Sequence, residues 1–128
     1  MANPFDLTGR KALVTGGATG IGEGIALGLA AAGADVALTY RSHQPGDTLA
    51  KINALGVKGA AVKADFSGMD EAAAEEVVSF ATAALGGLDI LVNNAGVMAV
   101  PHGHTQDGFE TQMGTNHLGH FALTGLLL

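Results

Sequence analysis

Thr15-Gly16-Gly17-Ala18-Thr19-Gly20-Ile21-Gly22 is the stretch on which the reading of this chain turns. A short apolar run, residues 12–15, stops at the first glycine pair, and helical spacing begins at Gly20. A strand that turns this sharply into a helix brings its backbone close to whatever lies above the turn, and a Cβ would obstruct that approach. The helix that follows aims its free N–H groups and the positive end of its dipole at the same point. A strand, a glycine turn and a helix N-terminus together suit a pyrophosphate. Tight helix packing also collects glycine, so the context of a complete βαβ unit carries the reading.

Outward from the turn, strand-like and helical runs alternate. Residues 20–32 are predicted helical, with Ile21, Ile25, Leu29 and Ala32 on one face, and Gly33 stands where a helix ends in a left-handed residue. Residues 36–40 read as a second strand, residues 47–55 as a second helix closed by Gly56, and residues 57–64 as a third strand of more mixed character. Residues 69–85 form a long predicted helix with Asp70, Glu71, Glu75 and Glu76 near its start, as the dipole prefers. Residues 88–93 (LDILVN) are the strongest strand in the chain. A loop rich in Gly, Pro and His, residues 96–106, leads to a last helix over residues 107–127.

Apolar strands joined by helical crossovers imply a parallel sheet buried on both faces. Right-handed crossovers make it a doubly wound α/β sheet of the Rossmann type, truncated to about four strands in the order 3-2-1-4, with helices on both faces.

Composition agrees and excludes other classes. The chain has 128 residues, room for one domain and one modest core. Hydrophobic residues make up 48% but aromatics only 5%, so the core is built from small aliphatic side chains. A formal charge of −6, with the basic residues dispersed, gives no reason to expect nucleic acid or an anionic membrane as partner. Absence of cysteine removes disulfides and thiolate metal sites and fits a cytoplasmic location. The N-terminal residues carry Pro4 and Asp6 before any apolar run, unlike a signal peptide, and no segment approaches the roughly 18 apolar residues of a membrane span.

The spacing Gly16-x-x-x-Gly20-x-Gly22 differs from the Gly-x-Gly-x-x-Gly of ordinary dinucleotide dehydrogenases. It resembles the TGxxxGIG signature of the short-chain dehydrogenase/reductase family. Asn93-Asn94-Ala95-Gly96 closes strand 4 as that family's NNAG motif does. Asp65, with Phe66 beside it, follows strand 3, where the family contacts the adenine. Asn116, within Thr115-Asn116-His117-Leu118-Gly119, matches the Asn of the family's long fifth helix. The resemblance covers essentially the whole chain. Residues 3–17 are similar to sugar-acid and acyl-carrier reductases, and residues 107–128 to the retinol-dehydrogenase branch, so no substrate follows. The resemblance implies an NAD(P)-dependent oxidoreductase acting between carbonyls and alcohols. It places the cofactor against Gly16, Thr19, Gly20, Ile21, Gly22, Asp65, Phe66, Asn93, Ala95 and Gly96.

The second strand bears on the choice of nicotinamide dinucleotide. NAD sites commonly end this strand with a carboxylate for the ribose 2′-OH. Here Leu38-Thr39-Tyr40-Arg41-Ser42 has no acid, and Asp35 lies at the wrong end. Arg41 can instead bind a 2′-phosphate, which favours NADP(H), with NAD(H) the alternative; an Arg41 that is merely solvated is the blander reading.

Hydride transfer to a carbonyl needs a proton donor. The resembled family uses a Tyr-x-x-x-Lys motif, a Ser on the preceding strand and an Asn on the fifth helix. This chain has one tyrosine, Tyr40, followed four residues on by Gln44, so of the four only Asn116 is represented. The expectation is a Rossmann domain over residues 1–128, incomplete at its C-terminus, that binds cofactor but does not turn over alone. His117 and His120 lie one helical turn apart, yet no carboxylate stands at matching spacing, and His102 and His104 sit in the loop; no metal site is expected. An open edge at residues 88–93 and an uncovered last helix would promote a homodimer or higher oligomer. The alternative function is a non-catalytic assembly, or an engineered half-Rossmann module, that self-associates through those surfaces.

Overall fold

A computed structural model describes residues 3–66, 71–95 and 123–125. Its elements run β1 (Lys11–Val14), α1 (Gly20–Ala31), β2 (Asp35–Tyr40), α2 (Gly46–Ala54), β3 (Gly59–Lys63), α3 (Glu71–Leu85) and β4 (Ile90–Val92). The four strands form one sheet in the order β3-β2-β1-β4, all neighbours parallel. This is the expected doubly wound arrangement. Most of the helix at 107–127 lies outside the described residues, though 123–125 are helical.

Alternation along the strands divides the core in two. Val14, Val36 and Leu38 point to the face covered by Ala26 and Ala30 of α1 and Ile52 of α2. Leu13 and Ala37 point to the other face, under Ala74, Val77, Ala81 and Leu85 of α3, together with Leu123. The period-two alternation of Leu13 with Val14 and of Ala37 with its neighbours places one side chain in each layer. The chain changes faces between β3 and β4. The sheet therefore has its switch point between the carboxyl ends of β1 and β4, where open α/β sheets bind ligands.

One expectation about α1 is corrected. The face expected to be buried began at Ile21, yet Ile21 is 80% exposed, and the buried residues are Gly22, Ala26 and Ala30. The helix is rotated by one residue because it lies close on the sheet. A Cβ at Gly22 would stand 2.0 Å from the Gly16 carbonyl oxygen, so only glycine fits that contact.

The ends of the elements also shift slightly. β4 is shorter than the expected 88–93 because its ladder with β1 spans only Ile90 to Val92. Before it, Asp89 N–H donates to the Lys11 carbonyl at 2.8 Å, and the Asp89 carboxylate accepts from Lys11 N–H at 2.9 Å. Gly33 and Gly56 end α1 and α2 with φ of 105° and 86°, the left-handed terminations read from the sequence. Among the described residues no helix is long and apolar enough to cross a membrane.

Candidate functional site

The glycine turn is tied to both neighbouring strands by two buried threonines. Thr15, at the end of β1, accepts at its Oγ1 from the N–H groups of Asn94 at 2.8 Å and Ala95 at 2.9 Å. The same hydroxyl donates to the Val92 carbonyl at 3.3 Å. Asn94 returns the contact, its side-chain amide donating to the carbonyls of Thr15 at 3.1 Å and Gly16 at 3.3 Å. On the other side Thr39 of β2 accepts from Gly16 N–H at its Oγ1 and from Gly17 N–H at its carbonyl, at 2.9 and 3.0 Å. The turn is thus held in register with β2 and β4 by polar groups removed from water, where hydrogen bonds are costly to leave unmade.

Backbone conformation explains two of the glycines. Gly16 (φ 66°) and Gly20 (φ 57°) occupy the left-handed region. At Gly20 the space beyond is open: a Cβ there would meet nothing within 4 Å. Thr19, the N-cap residue of α1, makes no side-chain capping bond. The first N–H groups of a helix lack intrahelical partners, so α1 opens its positive end onto unfilled space.

That space is a cleft of about 390 Å³ above the switch point. Gly16, Thr19, Gly20, Ile21, Gly22, Arg41, Asp65, Phe66 and Ala95 all line it, each a site residue expected from the sequence. Arg41 Nε stands 3.8 Å from Asp65 Oδ2, with side chains 64% and 51% exposed, so the two residues expected at the ribose and the adenine face each other. Phe66 also belongs to the core, packed with Ala74 and Val77.

Asn93 is placed differently from expectation. It is not among the lining residues, and its side-chain amide donates to Thr124 Oγ1 at 3.1 Å. Asn94 lines the cleft instead. Gly96, Asn116 and the histidines at 102, 104, 117 and 120 lie outside the described residues. Sequence reading also missed Thr39, Ser42 and His43, which line the cleft together with Tyr40. Only their position at the end of β2 or just after it could have signalled them.

Residues 10–128 match the family described as short chain dehydrogenase. The chain belongs to that family. It is 46% identical over 124 residues to a "Probable oxidoreductase" of Streptomyces antibioticus, covering 95% of this chain and 41% of the relative. With human retinol dehydrogenase 13 it shares 40% identity over 127 residues, or 95% of this chain and 37% of that protein. Among solved structures, a short chain dehydrogenase from Burkholderia cenocepacia J2315 in complex with NADP superposes with a TM-score of 0.82 and 40% identity. That superposition covers 93% of this chain and 49% of the other. This short chain dehydrogenase sequence therefore spans about half the length of that structure or less of the relatives it matches. It shares their oxidoreductase family and their Rossmann fold.

Proposed function

We propose that this chain binds NADP(H) as the dinucleotide-binding part of a short-chain oxidoreductase that interconverts carbonyls and alcohols. One observation carries the reading: the uncapped N-terminus of α1 opens, through a glycine that leaves its Cβ space empty, onto a cleft at the sheet's switch point. The NADP bound in the Burkholderia relative supports the choice of ligand.

The first N–H groups of α1 donate to the pyrophosphate, and Gly20 leaves room for it. Arg41 supplies a guanidinium for the 2′-phosphate, while Asp65 accepts hydrogen bonds on the adenine side. Ile21, held out from the core, covers the cofactor with an apolar side chain. When bound, the nicotinamide supplies or accepts the hydride. Within residues 1–128 no Tyr-x-x-x-Lys pair stands ready to move the accompanying proton, so cofactor binding is the activity assigned to this stretch.

Titration calorimetry with NADP+ and NAD+ tests the reading. Arg41→Ala is expected to weaken NADP+ about tenfold, the size of one charge-assisted contact, and to leave NAD+ unchanged. Gly20→Val is expected to abolish binding of both while the fold survives at a cost of about 1–2 kcal/mol for its left-handed φ. Equal affinity for both dinucleotides, unaltered by Arg41→Ala, would refute the NADP(H) assignment.

Self-association is proposed as well. Among the described residues β4 pairs only with β1, so its other edge has no strand partner among them. Sedimentation velocity at micromolar concentration is expected to show a dimer or larger species. A strictly monomeric boundary would overturn that part.

A further inference from the structure

Arg41 shares its end of the cleft with a carboxylate: its guanidinium lies 3.8 Å from that of Asp65, which offsets part of its charge toward an incoming anion. His43 lines the same cleft two residues further along and is exposed. Tyr40 also lines this end. On the adjoining helices, Asp47 stands in the first turn of α2, and Glu23 of α1 is engaged by Thr48 and lies 3.9 Å from Lys51. Among the described residues that line the cleft, Arg41 and His43 are the ones that can carry positive charge.

We propose that His43 is the second anion contact of the cleft and couples binding of a ribose 2′-phosphate to uptake of a proton. The proposal rests on the NADP(H) reading and deepens it. Histidine is the side chain whose charge changes near neutrality, and a phosphate dianion beside it favours the imidazolium. Binding NADP(H) draws a proton onto His43; binding NAD(H), which lacks the 2′-phosphate, does not. The phosphate's own ionisation has the opposite sign. A cationic site such as Arg41 favours the dianion and so releases a proton from the fraction of phosphate still protonated. Net uptake on binding therefore reports the imidazole.

The test is calorimetric titration of the chain with NADP+ and NAD+ near pH 7, in buffers of differing ionisation enthalpy, for the wild type, His43→Asn and Arg41→Ala. Circular dichroism verifies that each variant is folded. The expected result is net proton uptake with NADP+ only, lost in His43→Asn. That variant should also bind NADP+ about threefold to fivefold more weakly near pH 6, with the gap closing as the pH is raised toward about 8.5. Preference for NADP+ with the same proton balance in His43→Asn overturns the role of His43 and leaves the cofactor reading standing. Equal binding of the two dinucleotides by wild type and Arg41→Ala overturns the cofactor reading, and the His43 proposal with it.

Discussion

A single hydroxyl, that of Thr15, closes the seam between β1 and β4 beneath the cleft. It accepts from two backbone N–H groups, and Thr15 is fully buried. Replacement by valine keeps the shape but leaves those donors without their acceptor. Thr15→Val is expected to destabilise the fold by about 1–3 kcal/mol, measured by urea denaturation, and to loosen nucleotide binding by freeing the turn. A stability loss under about 0.5 kcal/mol would show that the latch contributes little. Arg41 marks the other side of residue-scale reading. Its sequence position after β2 was legible, but its approach to Asp65, and the presence of His43 in the same cleft, depend on β3 lying beside β2.

At the level of an element, α1 shows why periodicity alone misleads in a helix that is apolar nearly all round. Gly20–Ala31 contains one charged residue, Glu23, so the pattern does not single out the buried face. Large side chains at Ile21, Ile25 and Leu29 draw the eye, yet the sheet takes Gly22, Ala26 and Ala30. Close approach selects small residues, and the larger ones flank the contact. Ala26 is fully buried, so Ala26→Leu is expected to cost about 1–3 kcal/mol through overpacking. Ile21→Ser is expected to change stability by less than about 0.5 kcal/mol, since that side chain is 80% exposed. Chemical denaturation of the two variants distinguishes this arrangement from one with Ile21 inward, which reverses their order.

For the molecule as a whole, the end of the sheet opposite the cleft is gathered by charge. Lys11 Nζ donates to Asp35 Oδ2 at 2.6 Å, and Lys58 N–H donates to Asp35 Oδ1 at 2.9 Å. These bonds, that from the Lys11 side chain first, hold the Asp35 carboxyl below the usual carboxylate range. One carboxylate thus links β1, β2 and the segment entering β3. A carboxyl whose folded-state pKa is depressed contributes stability above its unfolded value, near 3.9, and loses it as pH falls toward the folded value. Asp35→Asn is therefore expected to lower stability by about 1 kcal/mol at neutral pH, with the difference from wild type shrinking as the pH falls below about 4. A difference independent of pH would assign the loss to packing. The small-residue, parallel-sheet architecture itself was legible from composition and from the alternation of strands and helices.

The sequence by itself determined the order of strands and helices, the winding of the sheet, the glycine turn and the lack of an acid after β2. Each of these is written in residues that are neighbours along the chain, where conformational preference and hydrophobic period act directly. The tertiary structure alone decided which face of α1 is buried, that Asn94 rather than Asn93 lines the cleft, and that Arg41, Asp65 and His43 line one cleft. Those outcomes depend on contacts such as Thr15 with Asn94, 79 residues apart, which form only when crossovers bring distant strands side by side.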